Sequence, residues 1–465
     1  MNQIPAKPTS HSTLPAAAVA EFESEFGGAI IRSGSAEYEN ARKVWNAIID
    51  RYPAIIAMCE DVEDVVKAVR FARDHHLPLS VRSGGHNVAG RALCDDGIVV
   101  DLSRMKAITV DADRNIVEVQ AGATLGELDA ATSACELAVP TGVAPPTGIA
   151  GLALGGGVGW LTRKYGMTCD NLVGCDVVTA DGTVLTADKT QNPDLFWGLR
   201  GGGGNFGIVT TFRFQAHPIK TVLGGLILYP RDQTKEVLRF YRDFMKSAPN
   251  ELTAYAGLMS APDGTPVFGI MACYCGHIES GRNVLGPLQA FGSPIIDMIQ
   301  PIPFIEMQKL AYQPAETPTN NYWRSACLDE LSDAAIDVLI QHANAARSPL
   351  TGTFIQYFGG AAASAPEGGT AFAQRGERYN ICIEAQWLEP QENDDHIHWA
   401  RSFSEALAPF SQPGHLLNFM NDEGDNAVQK SFGENYQRLR DLKTKYDPTN
   451  FFRHNQNILP AAAAE

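Results

Sequence analysis

The sequence predicts an α+β protein built in two packed parts, and three observations carry that reading. Short apolar runs alternate with helical stretches over roughly residues 41–220, glycines stand at most of the joins, and from 221 to about 430 the chain changes to longer strands, longer helices and more aromatic residues. At 465 residues the chain is too long for one ordinary core. Hydrophobic residues at 45% and charged residues at 19% exclude a disordered, coiled-coil or fibrous protein.

Residues 1–40 read as an N-terminal tail and lead-in, because Met1 to Ala20 has neither a basic start nor the continuous apolar segment of a signal peptide or membrane span. Asp61 to His75 predicts an amphipathic helix, with Val62, Val65, Val66 and Val69 recurring on one face. Leu77 to Arg82 predicts a strand running into a turn at Gly84-Gly85, and Gly97 to Leu102 a second strand. Ile116 to Gln120 predicts a third, followed by a helix whose Thr124 and Glu127 match a reciprocal capping box. Cys175 to Ala187 reads as a hairpin around Asp181-Gly182. Ile208 to Phe214 alternates like a half-buried strand, and His217-Pro218 closes the unit.

In the second part, Val222 to Tyr229, Phe268 to Cys275 and Tyr379 to Trp387 read as strands and Thr234 to Met245 as a helix. Gly359 to Gly369 is compositionally simple and reads as a surface loop. The C-terminal segment, 431–465, opens with a helix from Ser431 to Tyr446, with Leu439, Leu442 and Tyr446 on one face, and Asp447-Pro448 stops it.

A formal net charge of −16, from 37 basic and 53 acidic residues, repels nucleic acid phosphates and anionic lipid heads, so neither is expected as a partner. Nine cysteines without CxxC pairs or a Cys/His cluster argue against a metal site and fit reduced thiols in a cytoplasm.

Two segments carry the chemistry. Arg82-Ser83-Gly84-Gly85-His86-Asn87, followed by Gly90, places consecutive glycines where backbone N–H groups can form an anion-binding nest, with an imidazole beside it. A diphosphate fits such a nest; the bland alternative is a tight turn carrying a surface histidine. Thr141-Gly142 through Gly148, Gly151, Gly155, Gly156, Gly157 and Gly159 is glycine-dense yet interleaved with Ile149, Leu152 and Leu154, unlike a flexible linker. It can let backbone approach a flat ring closely. No Rossmann fingerprint, Walker motif or glycine-flanked serine nucleophile accompanies it.

These segments, with Trp160, Tyr165-Gly166, Asp170-Asn171, Asn205-Phe206-Gly207-Ile208-Val209, Tyr446-Asp447-Pro448 and Asn455-Gln456, resemble the FAD-linked oxidases of the vanillyl-alcohol oxidase and para-cresol methylhydroxylase superfamily, berberine bridge enzyme-like branch. Gly151 to Thr162 is similar to the 6-hydroxy-D-nicotine oxidase type within that branch. The resemblance implies a two-part FAD-binding domain of the para-cresol methylhydroxylase type over 41–220, a substrate domain with an antiparallel sheet backed by helices over 221–430, and a C-terminal return to the FAD domain. It implies that His86 is bonded to FAD. Relatives often carry a second, cysteinyl link where this chain has Ala144, so a single link is expected. Arg82, Ser83, Gly84, Gly85, Asn87, Gly90, Thr141, Gly142, Gly148, Ile149, Gly151, Gly155, Gly156, Gly157, Gly159, Trp160, Tyr165, Asn171, Gly207, Ile208, Val209 and Asn455 are the expected contacts of the cofactor.

The implied reaction is oxidation of a CH–NH or CH–OH carbon of a small molecule by hydride transfer, with molecular oxygen as acceptor and hydrogen peroxide as product. Ile149, at the position the resemblance sets beside the oxygen-access side of the ring, leaves a dehydrogenase open. An oxidative cyclase of natural-product metabolism, or a non-enzymatic protein that keeps the nucleotide, is the alternative. Relatives often show a tyrosine, the usual base, before the Gly-x-Asn segment where this chain has Ser431-Phe432-Gly433-Glu434-Asn435-Tyr436, and Tyr436, Asn435 and Glu384 are the catalytic candidates. A glutamate in Glu384's setting is more often a solvated strand residue than a base, Tyr436 reads equally as core, and the alternation leaves open whether Asn380, Cys382, Glu384 and Gln386 or their neighbours face the site. A homodimer is compatible with these expectations.

Overall fold

The computed structural model describes residues 14–312, 317–366 and 368–461. Its first sheet has four strands in the order Ala29–Arg32, Ile55–Met58, Ile98–Asp101, Leu79–Arg82; the last three run parallel and the first antiparallel. Helix Val62–Asp74 covers it, starting where Asp61 accepts a hydrogen bond from the Asp64 N–H at 3.0 Å. Val65, Ala68, Val69 and Ala72 are its buried stripe, with Val62 and Val66 of the expected valine face partly buried against the same core.

A second sheet of five antiparallel strands runs Ile108–Asp111, Ile116–Gln120, Ile208–Gln215, Leu172–Val178, Val184–Asp188. The turn at Asp181-Gly182 forms as expected, with Gly182 at a φ of 79°. The capping box forms as well: Thr124 and Glu127 bond each other's backbone N–H groups at the head of helix Leu125–Ser133.

The third sheet has eight antiparallel strands, with Thr221–Pro230, Pro266–Tyr274, Leu252–Ser260, Gly352–Phe358, Arg378–Trp387 and Asn320–Leu328 in that order, and two short strands, Ile296–Asp297 and Gln300–Pro303, on the outer edge of the first. Helices Thr234–Ser247, Ile278–Gln289, Asp333–Asn344 and Asn393–Leu407 cover one face and share a core with it. The opposite face packs against the first unit through Trp160, Leu161, Tyr255, Met271 and Phe358. This seam, between backbone loops and a sheet face, holds Glu384 and the glycine-rich segment that ends at Trp160.

Two expectations are corrected. Where the sequence reads as a tail, Ala16–Glu25 is a helix whose Val19 and Phe22 are buried, Phe22 stacking on Phe71 with ring centroids 4.3 Å apart. Its own amphipathic pattern is weak, so the fold supplies its partner; residues 1–13 lie outside the described residues. The helix expected from Ser431 is two helices, Asp425–Phe432 and Tyr436–Tyr446, separated at Gly433, whose φ of 51° ends the first. The stretch Gly359 to Gly369 holds a short turn, Gly360–Ala363, with Ala362 buried, and Glu367 lies outside the described residues.

Candidate active site

Arg82 ends its strand with its guanidinium on the buried carboxylate of Asp101, its register partner on the parallel neighbour, and on the carbonyl of Ala41. The chain then enters the glycine turn from a fixed point. Ser83 donates to the Ala121 carbonyl. Gly84 meets Gly148 backbone to backbone: a Cβ on Gly84 would lie 2.4 Å from the Gly148 nitrogen, and one on Gly148 would lie 2.3 Å from the Gly84 nitrogen. Only paired glycines permit this crossing, and it brings the two glycine-rich segments of the sequence together. Beyond it, Asn87 accepts from the N–H groups of Ala89 and Arg91 at 3.1 and 3.2 Å, closing the loop ahead of Gly90.

His86 projects from this loop with Nε2 buried and without a hydrogen-bond partner. Burial pushes its pKa down to about 4, so the ring is neutral at pH 7 and carries a free nitrogen lone pair. The indole of Trp45 stacks on it, with centroids 4.3 Å apart and planes at 18°, and Trp323 of the large sheet meets Trp45 edge-on at 5.2 Å.

Gly148 caps helix Ile149–Leu154, and Ile149 is fully buried in its first turn. Gly151 is exposed on this helix, and a Cβ placed on it would meet nothing within 4 Å. Gly155 and Gly156 lie under Asn418 and Phe372, Gly157 under Thr168, and Gly159 against the Thr141 carbonyl. Gln308 reaches over from helix Phe304–Leu310 and donates to Thr141 Oγ1 at 3.0 Å, the Gly142 carbonyl at 3.1 Å and buried Asp129 at 3.1 Å. Trp160 is fully buried and stacks on Tyr255, and neither Trp160 Nε1 nor the Tyr255 hydroxyl has a partner.

Other expected cofactor contacts serve the protein's own packing. Asn171 donates to the carbonyls of Tyr165 and Met167 at 3.0 and 2.9 Å, and pairs with His217, whose ring stacks on Tyr165 at 3.8 Å. Gly207 touches Val177, and Ile208 and Val209 are buried in strand pairing with Val178 and Val177.

The C-terminal segment is pinned by a fully buried ion pair. Lys443 donates to Asp447 at 2.7 Å and to the carbonyls of Asn205 and Phe452 at 2.8 Å, while Asp447 accepts from the N–H groups of Phe451 and Phe452. Asn455 donates to the Gly204 carbonyl at 2.9 Å, and its Oδ1 is left without a partner, as is that of Asn457. A cleft of about 320 Å³ opens here, lined by Arg91, Asn421, Glu423, His454, Asn455 and Asn457 among others.

The question of which face of Arg378–Trp387 turns to the seam is settled by packing. Tyr379, Ile381, Ile383, Ala385 and Trp387 belong to the helix-backed core, so Asn380, Cys382, Glu384 and Gln386 face the first unit. Glu384 is directly opposite Trp323 in the register, and Ser325 opposite Cys382. Asn380 donates to Gln356 at 2.9 Å, and Gln386 to Thr319 at 2.7 Å. Glu384 retains some accessible surface although protein surrounds it, and burial raises its pKa to about 7. The candidates Asn435 and Tyr436 lie elsewhere: Asn435 donates to the Ala371 carbonyl at 3.1 Å, and Tyr436 packs beside Phe432 against the core of the first unit. The sequence reading missed Trp45, Trp323, Tyr255 and Gln308, which carry no periodic or motif signal.

These features fit a flavin dinucleotide on the structure's own terms. Gly151 opens on free space in a helix that alanine would otherwise serve better, and the unpartnered His86 Nε2, Asn455 Oδ1 and Asn457 Oδ1 are polar atoms that the chain leaves for something else. A glycine-built cradle facing a partly polar sheet face defines an FAD-binding oxidoreductase. Residues 53–188 match the model of the FAD binding domain, and residues 416–459 the berberine and berberine-like model. An FAD-linked oxidoreductase of Dictyostelium discoideum is 33% identical over 95% of this chain and 97% of its own. The crystal structure of 6-hydroxy-D-nicotine oxidase from Arthrobacter nicotinovorans superposes with a TM-score of 0.86 at 28% identity, covering 93% of this chain and 98% of that one. Xylooligosaccharide oxidase from Myceliophthora thermophila, solved with xylobiose, gives 0.85 at 25% identity over 96% and 99%. The chain belongs to the berberine bridge enzyme-like branch of the FAD-linked oxidases.

Proposed function

We propose that this enzyme holds FAD covalently through His86 alone and takes a hydride from a CH–NH or CH–OH carbon of a small organic molecule, dioxygen being the acceptor and hydrogen peroxide the product. The observation that carries this reading is the arrangement of Glu384 one cross-strand step from Trp323, which packs on the Trp45–His86 pair. Bound FAD supplies an acceptor for two electrons at N5. The main-chain amides of Ser83 to Asn87 answer the diphosphate charge, and the free amide oxygens of Asn455 and Asn457 accept from ring N–H donors. Neutral His86 offers a lone pair for the covalent bond, and Ala144 offers no thiol for another. Trp160 and Tyr255, stacked in the apolar seam, exclude water from the reacting carbon. Glu384, with a pKa near neutrality, takes the substrate's hydroxyl or ammonium proton as general base.

Acid precipitation tests the attachment: the yellow colour stays in the pellet of the natural chain and leaves with the supernatant for His86→Ala. Colour lost from the natural chain sinks it. The substrate class is tested by anaerobic bleaching with N-heterocyclic amines, secondary alcohols and sugars. A second reading, a dehydrogenase, is favoured by the buried branched side chain of Ile149. Slow reoxidation by dioxygen in stopped flow, with fast reoxidation by an artificial quinone, would replace the oxidase.

A further inference from the structure

Trp45 and Asn46 occupy a loop outside both glycine segments, yet each touches the His86 loop and the large sheet at once. Trp45 lies flat on the His86 ring and is itself held edge-on by Trp323. Asn46 is completely buried, and its amide nitrogen donates to the Val88 carbonyl at 2.8 Å and to the Asn321 carbonyl at 2.9 Å. Its amide oxygen accepts from the Asn321 N–H at 2.8 Å, and the Ala47 N–H donates to the Thr319 carbonyl at 3.0 Å. One dipeptide therefore ties the backbone two residues after His86 to the edge strand that carries Trp323, opposite Glu384.

The imidazole has no hydrogen bond at Nε2 to fix its rotation. The indole face restricts it, beside a hydrogen bond between the ring and the backbone of His86 itself. Stacking of this kind favours one ring orientation over another.

We infer that Trp45 and Asn46 are positioning residues for covalent attachment, a clamp that aims the His86 ring at the 8α carbon of FAD and couples that aim to the substrate sheet. The inference rests on the covalent reading of His86. In the step it serves, a C8α–H bond is broken and a C8α–N bond is formed. The C8α proton and the remaining imidazole N–H proton depart to solvent, and the two electrons leave through the ring to dioxygen, which takes up two protons and becomes hydrogen peroxide. Trp45 and Asn46 exchange neither protons nor electrons; they set the approach of the nitrogen.

The test divides the flavin of purified, full-length protein into acid-soluble and acid-insoluble fractions. The natural chain is expected to hold nearly all of its flavin in the insoluble fraction. Trp45→Leu, which keeps apolar bulk without a ring, should lower that fraction at least threefold, and Trp45→Phe should restore most of it. Asn46→Ala cuts the other arm and should lower the fraction as well. If natural protein gives only soluble flavin, the covalent reading fails, and the clamp with it. If natural protein gives insoluble flavin and the Leu, Phe and Asn46→Ala variants all match it, the clamp alone is overturned. Equal losses in Leu and Phe overturn the role of the stacked ring. Should the Leu variant not fold, Asn46→Ala and Phe decide: attachment at the natural level in Asn46→Ala overturns the clamp, and a loss in Asn46→Ala with retention in Phe supports it.

Discussion

The two sides of the seam are built by different means. On the cofactor side, the Gly84–Gly148 crossing and the open Gly151 make a surface of backbone, and the side chains that matter are few. On the facing side, the sheet backbone is engaged in its ladders up to the edge strand Asn320–Leu328, and the surface is made of side chains: Glu384, Asn380, Cys382, Trp323 and Tyr255. Backbone recognition suits a ligand that never changes, because glycine conformations tolerate almost no substitution. A sheet face can exchange every second residue without altering its fold.

Substitutions can break this contrast or sharpen it. The largest effect is expected at Gly84→Ala. Its Cβ would meet the Gly148 nitrogen at 2.4 Å, so the crossing must open; the protein should lose its flavin and about 1–3 kcal/mol of stability, read from bound-flavin absorbance and denaturant unfolding. Full retention of both would show that the crossing is dispensable.

Next comes Glu384→Gln, which should lower kcat/KM by roughly 10²–10⁴-fold while leaving the flavin in place. Because the base acts when ionised, kcat/KM of the natural enzyme should rise with pH through about 7, and the glutamine variant should lack that limb. The stability effect has the opposite direction. The folded-state pKa is raised from 4.5, so Glu384's contribution is fully present below 4.5 and is lost as pH rises through about 7. Unfolding curves of the variant should be flatter across that window, and an unchanged slope would remove Glu384 from the buried acids.

The smallest effect is the sharpest discriminator. Gly151→Ala meets no atom of the chain, so the FAD-free protein should be unchanged or gain up to about 1 kcal/mol of helix stability. FAD binding should nevertheless weaken, measured by titration of FAD into the deflavinated His86→Ala background. Equal affinity would mean that the helix face does not pack on the ring.

The same contrast explains what could be read in advance. Backbone devices leave marks in sequence: the glycine turn before His86, the Asp181-Gly182 hairpin and the Thr124/Glu127 cap are short-range, and each forms. The orientation of Tyr379 to Trp387 was not written in its alternation, because both sets of residues contain apolar members and the helices packed behind the sheet decide. Trp45 and Asn46 escaped because their partners lie tens to hundreds of residues away, at His86, Val88, Asn321 and Trp323. Asn435 and Tyr436 illustrate the converse: their neighbourhood follows from the break at Gly433, and the continuous helix expected there hides it.

The reach of Asn46 across 275 residues to Asn321 orders events in the life of the chain. A nascent polypeptide that has emerged only as far as residue 300 already owns its histidine and its glycine turns, but the strand that steadies them has yet to be translated. If the Trp45–Asn46 dipeptide aims His86 as inferred, the flavin bond forms only after the second unit has been made and has folded.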